Sequence, residues 1–279
     1  QGDLLVTLIE KAAEIMLEQP LKLTFLVDNN PGPGCQAEHG LSLFIEADIR
    51  ILFDAGQSRL FLENAGHLGI DTAAADFLVL SHGHYDHGNG FEYLKGKRLL
   101  CHPGCFTRRY RTEKSAYIGL KYDQQFAEKN FDLIFSEKPF KISDSVTFLA
   151  QIPRRNDFEA KQTTFVKEDG TPDFVIDDSA LVVDTLAGLV VIAGCSHAGI
   201  CNIIEYAREI TGKSKIAAVV GGFHLKEGSP AIEPTIGYLR RAEIGVLMPC
   251  HCVDGSIISL FHTIFNCDTV FAGKVKEII

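Results

Sequence analysis

The segment Ser81-His-Gly-His-Tyr-Asp-His-Gly88 constrains this chain more than any other part of its sequence. It follows the apolar run Phe77–Leu80, which predicts a buried strand, so a loop can point its side chains into a cleft. Four candidate metal ligands fall within six positions: His82, His84, Asp86 and His87. Imidazole and carboxylate at this spacing are ligands that borderline divalent ions select, so we expect a metal site rather than a polar loop.

A turn at Tyr85-Asp86 would divide these ligands between two ions. In an extended segment His82, His84 and Asp86 share one face, and His87 points away. With a turn, the first two histidines bind one ion, while Asp86 and His87 bind a second. Because a catalytic zinc usually takes three protein ligands and keeps one position for water, further ligands must come from elsewhere.

Three later histidines also follow apolar runs that predict strands. They are His197 after Leu189–Ile192, His224 after Ile216–Val220 and His251 after Ile244–Met248. Strand ends at one edge of an α/β sheet line the same crevice, so we expect His197 and His251 to be ligands. We assign His224 as a metal-adjacent residue that binds substrate or donates a proton, and Asp86 as catalytic as well as ligating.

The composition excludes several classes of protein. The chain has 279 residues, 46% of them apolar, and a formal charge of −9, which disfavours a nucleic-acid binder. Asp184 interrupts the longest apolar stretch, so no segment reaches the ~18 residues of a membrane span. Eight cysteines are too few for a disulfide scaffold of this length, and we expect a reducing cytoplasm.

The order of predicted elements favours an α/β (α+β) protein with one αββα core. Residues 3–20 carry apolar positions at helical spacing, which predicts a packing helix or, alternatively, a homodimer contact. Short β-prone runs in residues 21–53 suggest an antiparallel meander. Residues 103–173 are more charged and less regular, and we interpret them as an insertion or lid. Strand and helix alternate from Ser179 onward.

From His82 to His87 the chain matches the HxHxDH signature of the metallo-β-lactamase superfamily, which it resembles over residues 21–279. The resemblance implies an αββα sandwich with a dinuclear site. It places His82, His84 and His197 on the first ion, and Asp86, His87 and His251 on the second. It also matches Asp54 to the acidic residue that orients a ligand histidine.

Two positions depart from the superfamily pattern. No histidine lies between His102 and His197, where many members have their third ligand, so that role passes to His197. Cys195, after Gly194, stands where the usual bridging aspartate follows a glycine. The two ions are therefore bridged by Cys195, bridged by water alone, or not bridged. A redox di-iron role is disfavoured, because that branch has glutamate where this chain has His84.

Further motifs are similar to those of the dihydropterin–ribofuranosylaminobenzene-phosphate synthase-like branch. They are Leu26-Val-Asp-Asn29, Glu38-His-Gly-Leu-Ser42, Asp54-Ala-Gly-Gln-Ser58, Gly194-Cys-Ser-His-Ala-Gly-Ile200, Gly221-Gly-Phe-His224 and Pro249-Cys-His-Cys252. The branch takes its name from a step that joins an activated dihydropterin to an aminobenzene ribosyl phosphate. Many of its members are called only metal-dependent hydrolases. We expect Glu38 and His39 to bind substrate.

These observations predict a metal-dependent hydrolase that acts on a phosphorylated or other anionic small molecule. Two divalent ions, zinc first and manganese, iron or nickel as alternatives, would lower the pKa of a bridging water, so that hydroxide attacks a phosphoryl or acyl centre. Arg108 and Arg109 either hold a substrate phosphate or form a solvated face.

Other functions stay open at this point. In a synthase the same site would grip a pyrophosphate leaving group. A metal-binding ligand sensor would keep the ions without turnover. Cys195 could instead be a nucleophile with a histidine as base. A structural zinc site is a minor alternative that would use Cys101, Cys105, Cys250 and Cys252.

Overall fold

The computed structural model describes residues 20–279. The strands in chain order are β1 (Leu21–Val27), β2 (Ser42–Glu46), β3 (Arg50–Phe53), β4 (Phe77–Val79), β5 (Arg98–Cys101), β6 (Arg109–Arg111), β7 (Asp132–Phe135), β8 (Phe140–Lys141), β9 (Val146–Phe148), β10 (Phe165–Lys167), β11 (Ala180–Thr185), β12 (Gly188–Ala193), β13 (Ile216–Gly221), β14 (Val246–Pro249) and β15 (Val275–Ile278). The α-helices are α1 (Leu60–His67), α2 (Tyr85–Gly88), α3 (Gln124–Asn130), α4 (Ile200–Thr211), α5 (Ile232–Ala242) and α6 (Gly255–Ile264). The predicted helix over residues 3–20 lies outside the described part, apart from Pro20.

The strands form two large sheets. One has the order β15-β1-β2-β3-β4-β5-β7, and the other β14-β13-β12-β11-β9-β8. Strands β1, β2 and β3 pair antiparallel in sequence, which confirms the predicted meander. In the second sheet β12, β13 and β14 are parallel, because α4 and α5 cross over between them. Helix α4 ends where Gly212 turns left-handed at φ 68°.

Three apolar layers hold the sheets and helices together. Phe25 and Leu43 of the first sheet pack with Val190 and Val220 of the second. The outer face of the second sheet packs against α4, α5 and α6, and that of the first against α1 and α3. Near-continuous apolar runs along the strands, as in β4 and β12, bury both faces of each sheet. The predicted αββα sandwich is therefore confirmed.

The expected insertion at residues 103–173 is not one separate unit. Its middle part enters the main sheets: β7 pairs parallel with β5, and β9 pairs antiparallel with β11. Apolar residues such as Phe148 made this possible, because they pack in the core between the sheets. Only the flanking parts form a separate ribbon, in which β6 pairs with β10.

Within residues 20–279, no helix has the length and apolar character that crossing a membrane requires. All eight cysteines are free thiols. A cytoplasmic location stays a prediction.

Candidate metal centre

The candidate ligands lie at the carboxyl ends of strands from both sheets. Strand β4 runs parallel to β3, and β12, β13 and β14 run parallel to one another. Their ends therefore meet along one edge of the sandwich, where loops are free of the sheet ladders. The loops after these strands carry His82, His197, His224 and His251.

Four residues in these loops adopt left-handed backbone conformations. Asp54, Ser196, His224 and His251 have φ between 48° and 57°. For residues other than glycine such conformations cost about 1–3 kcal/mol each, and they occur mainly where function requires them. They turn the chain sharply after β3, β12, β13 and β14, so that the loops fold back over the strand ends.

The predicted turn at Tyr85 and Asp86 exists as the short helix α2, which begins directly after His84. It separates the first two histidines of the segment from Asp86 and His87. Gly83 is required here, since a Cβ at this position would lie 1.8 Å from the carbonyl oxygen of Cys105.

The first ligand group consists of His82, His84 and His197. The Nδ1 of His84 lies 2.9 Å from Nε2 of His82 and 3.2 Å from Nε2 of His197. Burial lowers the pKa of all three imidazoles well below the usual range, and neighbouring histidines lower it further. The three rings are therefore neutral, which is the form that binds metal.

The donor set of this group fits a metal ion. Nδ1 of His84 has one in-plane site, a proton or a lone pair, so it forms at most one well-aligned hydrogen bond with the two imidazole nitrogens it faces. The other nitrogen of His84, Nε2, is buried without a hydrogen-bond partner. A bound cation would accept the lone pairs of all three imidazoles at once, which hydrogen bonds among the rings cannot do.

The second ligand group consists of Asp86, His87 and His251. Nε2 of His251 lies 3.2 Å from Oδ2 of Asp86 and 3.1 Å from Nε2 of His87. Burial raises the pKa of Asp86, but hydrogen bonds from His251 and His39 outweigh this and hold it well below its usual range. Asp86 is therefore a carboxylate, which is the ligand form.

One chain of hydrogen bonds orients a histidine of each group. Oδ2 of Asp54 accepts from Nδ1 of His87 at 2.6 Å and from Oγ of Ser81 at 2.7 Å. Ser81 Oγ in turn lies 2.9 Å from Nδ1 of His82. These bonds place a proton on Nδ1 of both rings, so Nε2 is the nitrogen that each ring would present to a metal. Asp54 thus has the contact with a ligand histidine that the resemblance implies.

Cys195 lies between the two groups. Its Sγ is 3.2 Å from Nε2 of His87, and it can share an ion with His82 and His87. Burial raises the pKa of its thiol well above the usual value, and the neighbouring Cys252 raises it further. A free Cys195 is therefore a poor nucleophile, whereas a metal ion would deprotonate it.

Two buried aspartates that the sequence analysis missed support the first group from behind. Asp177 accepts a hydrogen bond from the backbone N–H of Gly83 at 2.8 Å, and Asp178 accepts one from Ala198 at 2.8 Å. One residue pair thus fixes the loops of His84 and His197. The sequence signal is only two acidic residues before the buried strand β11.

The arginines predicted to bind substrate have other partners. Arg109 is 1% exposed, and its guanidinium is held by Asp173 at 3.2 Å and Asp177 at 2.8 Å. It neutralises buried carboxylates, so the substrate contact predicted for Arg109 is not supported. Arg108 is exposed and pairs with Glu168 at 2.9 Å.

Glu38 and His39 also differ from the expectation. The carboxylate of Glu38 accepts hydrogen bonds from the backbone N–H groups of Gln57 and Ser58, so it clamps two loops together. His39, by contrast, extends to the second ligand group, where its Nε2 lies 3.1 Å from Oδ2 of Asp86.

A cavity of about 430 Å³ opens beside the first group, a volume within the range of small-molecule sites. His197 and His224 are among the residues that line it, and their ring centroids are 4.5 Å apart. Phe165 and Phe174 also line it. Burial, and then Lys226, lower the pKa of His224 to about 4, so His224 is neutral at pH 7 and does not serve as a cationic acid.

The alternative of a structural zinc site on four cysteines is not supported. Cys101 and Cys105 lie in the core between the first sheet and its helices, whereas Cys250 lies in the core between the sheets. None of these cysteines belongs to a candidate metal group formed by residues 20–279.

The fold has counterparts among known proteins. The crystal structure of Tm1679, described as a metal-dependent hydrolase of the β-lactamase superfamily, is 32% identical and superposes with a TM-score of 0.83 over 92% of this chain and 99% of that one. The chain belongs to the metallo-β-lactamase superfamily. No family model matches the chain.

Two proteins of Methanocaldococcus jannaschii are also similar. The uncharacterized protein MJ0448 is 32% identical over 91% of this chain and 98% of its own length. The 7,8-dihydropterin-6-methyl-4-(beta-D-ribofuranosyl)-aminobenzene-5'-phosphate synthase is 30% identical over 86% of this chain and 90% of its own length. YhfI of Bacillus subtilis shares the fold, with a TM-score of 0.59 at 16% identity. Within the superfamily, the chain is thus related to the synthase branch.

Proposed function

We propose that the chain is a dinuclear metal-dependent hydrolase that acts on a phosphorylated or other anionic small molecule. The observation that carries this proposal is the pair of ligand groups at one sheet edge, joined where Nε2 of His87 lies 3.1 Å from Nε2 of His251 and 3.2 Å from Sγ of Cys195. Zinc is the ion we favour, because imidazole, carboxylate and thiolate ligands suit it. When bound, such ions activate water at neutral pH and stabilise negative charge on a phosphoryl or acyl oxygen.

The chain's own residues would divide the remaining tasks. His82, His84 and His197 would hold one ion, and Asp86, His87 and His251 the other, with Cys195 as a shared ligand. Asp54 would keep His87 in the tautomer that presents Nε2. The cavity beside His197 would receive the substrate, and neutral His224 would form a hydrogen bond with it or accept a proton.

Elemental analysis and a substrate screen test this function together. Protein purified without chelator should carry close to two zinc ions per chain, and it should hydrolyse at least one of a phosphodiester, a phosphomonoester, a thioester and a lactone. His84→Ala and His251→Ala should each lose an ion and the activity. The matched control is His262→Ala, because His262 is exposed on α6. Less than half an ion per chain in the wild type would overturn the proposal.

A pterin-transferring synthase is the second candidate, favoured by the 30% identity to the named synthase over 90% of its length. It predicts release of pyrophosphate only when an activated dihydropterin and the aminobenzene ribosyl phosphate are both present. Two bound ions without turnover in either assay would instead favour a ligand sensor.

A further inference from the structure

His39 occupies the position of an additional ligand in the second group. Its Nε2 lies 3.1 Å from Oδ2 of Asp86, and its ring centroid is 4.9 Å from that of His251. Single ligand atoms of His39, Asp86 and His251 all lie within 4.8 Å of one another. Ligands at the usual 2.0–2.2 Å from a four-coordinate zinc are roughly 3.3 Å apart, so the contacts of Asp86 with His39 and His251 have the expected spacing.

The backbone around His39 is fixed before any ion binds. Glu38 is clamped to the loop of Gln57 and Ser58, and the side chain of Gln57 donates to the carbonyl oxygen of His39 at 3.0 Å. Gly40 donates to Oδ1 of Asn29 at 3.2 Å. A Cβ at Gly40 would lie 2.8 Å from the carbonyl oxygen of Asp86, so glycine permits this close approach. Little backbone entropy is lost when such a residue binds a ligand.

The side chain of His39 is nevertheless accessible to solvent. It is 50% exposed, whereas the side chains of Asp86, His87 and His251 are 0–9% exposed. If an imidazole at this position leaves an ion, water hydrates the ring at once, and the buried Asp86 keeps its contact with His251. A catalytic ion requires such a position, which opens for water or substrate.

We infer that His39 is an additional protein ligand of the second ion, beside Asp86, His87 and His251, and the one that exchanges with water or substrate. This inference rests on the proposed dinuclear site. It also gives Glu38 a role. The carboxylate of Glu38 binds backbone N–H groups, and this clamp fixes the backbone next to His39.

Zinc titration by calorimetry on chelator-stripped protein tests the inference. Wild type should bind two ions per chain. His39→Ala should bind the first ion with unchanged affinity and the second on the order of 10–100-fold more weakly, which is at least the loss seen when a partner of a metal ligand is removed. His262→Ala is the matched control for an exposed histidine and should behave as wild type.

Free imidazole separates coordination from a mere hydrogen bond to Asp86. Because His39 is exposed, added imidazole should enter the space left in His39→Ala and restore the second affinity, and it should restore the cobalt(II) absorption of the loaded protein. Unchanged zinc binding in His39→Ala, or a loss that imidazole fails to restore, would overturn the inference alone. A wild type that binds no zinc would overturn the proposed function and the inference with it.

Discussion

The two ligand groups differ in what supports them. The first is held from behind: Asp177 and Asp178 fix its loops, and Arg109 neutralises Asp177. The second has a buried side, where Asp54 holds His87, and a solvent side formed by His39. The difference suggests a division of work, in which the first group retains its ion and the second offers the position that opens. Each prediction below tests this contrast.

Loss of a ligand should have the largest effect. His84→Ala should weaken binding of the first ion by more than about 100-fold, since removing even a partner of a ligand costs roughly 10–100-fold. His251→Ala should do the same to the second ion and leave the first in place. Elemental mass spectrometry after gel filtration measures both, with His262→Ala as control. Loss of both ions in His251→Ala would show that the groups do not bind independently.

The support behind the first group should be the most important for stability. Arg109→Ala leaves two buried carboxylates without their partner and should lower the free energy of unfolding by roughly 3–5 kcal/mol. Arg108→Ala removes an exposed pair and should change it by less than about 1 kcal/mol. Urea unfolding compares the two neighbours. Equal effects would contradict the role assigned to Arg109, and a raised KM in Arg108→Ala alone would give Arg108 the substrate contact.

The free energy of unfolding of the metal-free protein should depend on pH through the buried pair of His87 and Asp54 in the second group. Burial lowers the pKa of His87, but the carboxylate of Asp54 outweighs this and raises it to about 9. The pKa of an unfolded histidine is near 6.5. The contribution of His87 to the free energy of unfolding is therefore complete below pH 6.5, and about 3 kcal/mol of it is lost as the pH rises through 9.

Urea unfolding of chelator-stripped wild type at pH 6.5 and pH 9 measures this loss. His87→Asn should lack it, because asparagine does not titrate. A wild type whose stability is equal at both values would show that the pair is not charged.

A smaller effect is expected from Asp54→Asn, which keeps the shape but loses the charge. Affinity for the second ion should fall roughly 10–100-fold, because Asp54 contacts His87 directly. The first ion should be affected less, since Asp54 reaches His82 only through Ser81. Zinc titration measures both, with Asp144→Asn on the exposed surface as control. A larger loss of affinity for the first ion would contradict the role of Asp54 as a support mainly of the second group.

The sequence predicted elements well where their patterns were strong. The meander of β1–β3 and the alternating strands and helices after Ser179 follow from apolar periodicity, and both are present. It predicted less well where the pattern was weak. Residues 103–173 read as one insertion, yet β7 and β9 belong to the main sheets, because pairing between distant strands leaves little trace in local composition.

The sequence by itself determined which residue types can bind metal and that each follows a strand. These properties are local, since spacing fixes that His82 and His84 lie on one loop and apolar flanks fix where strands end. Tertiary structure decided which groups meet. Asp177 reaches Gly83 across 94 positions, and His251 reaches Asn29 across 222. Only the packed sandwich brings such residues within hydrogen-bond distance, so it also decided that Arg109 is buried and that His39 contacts Asp86.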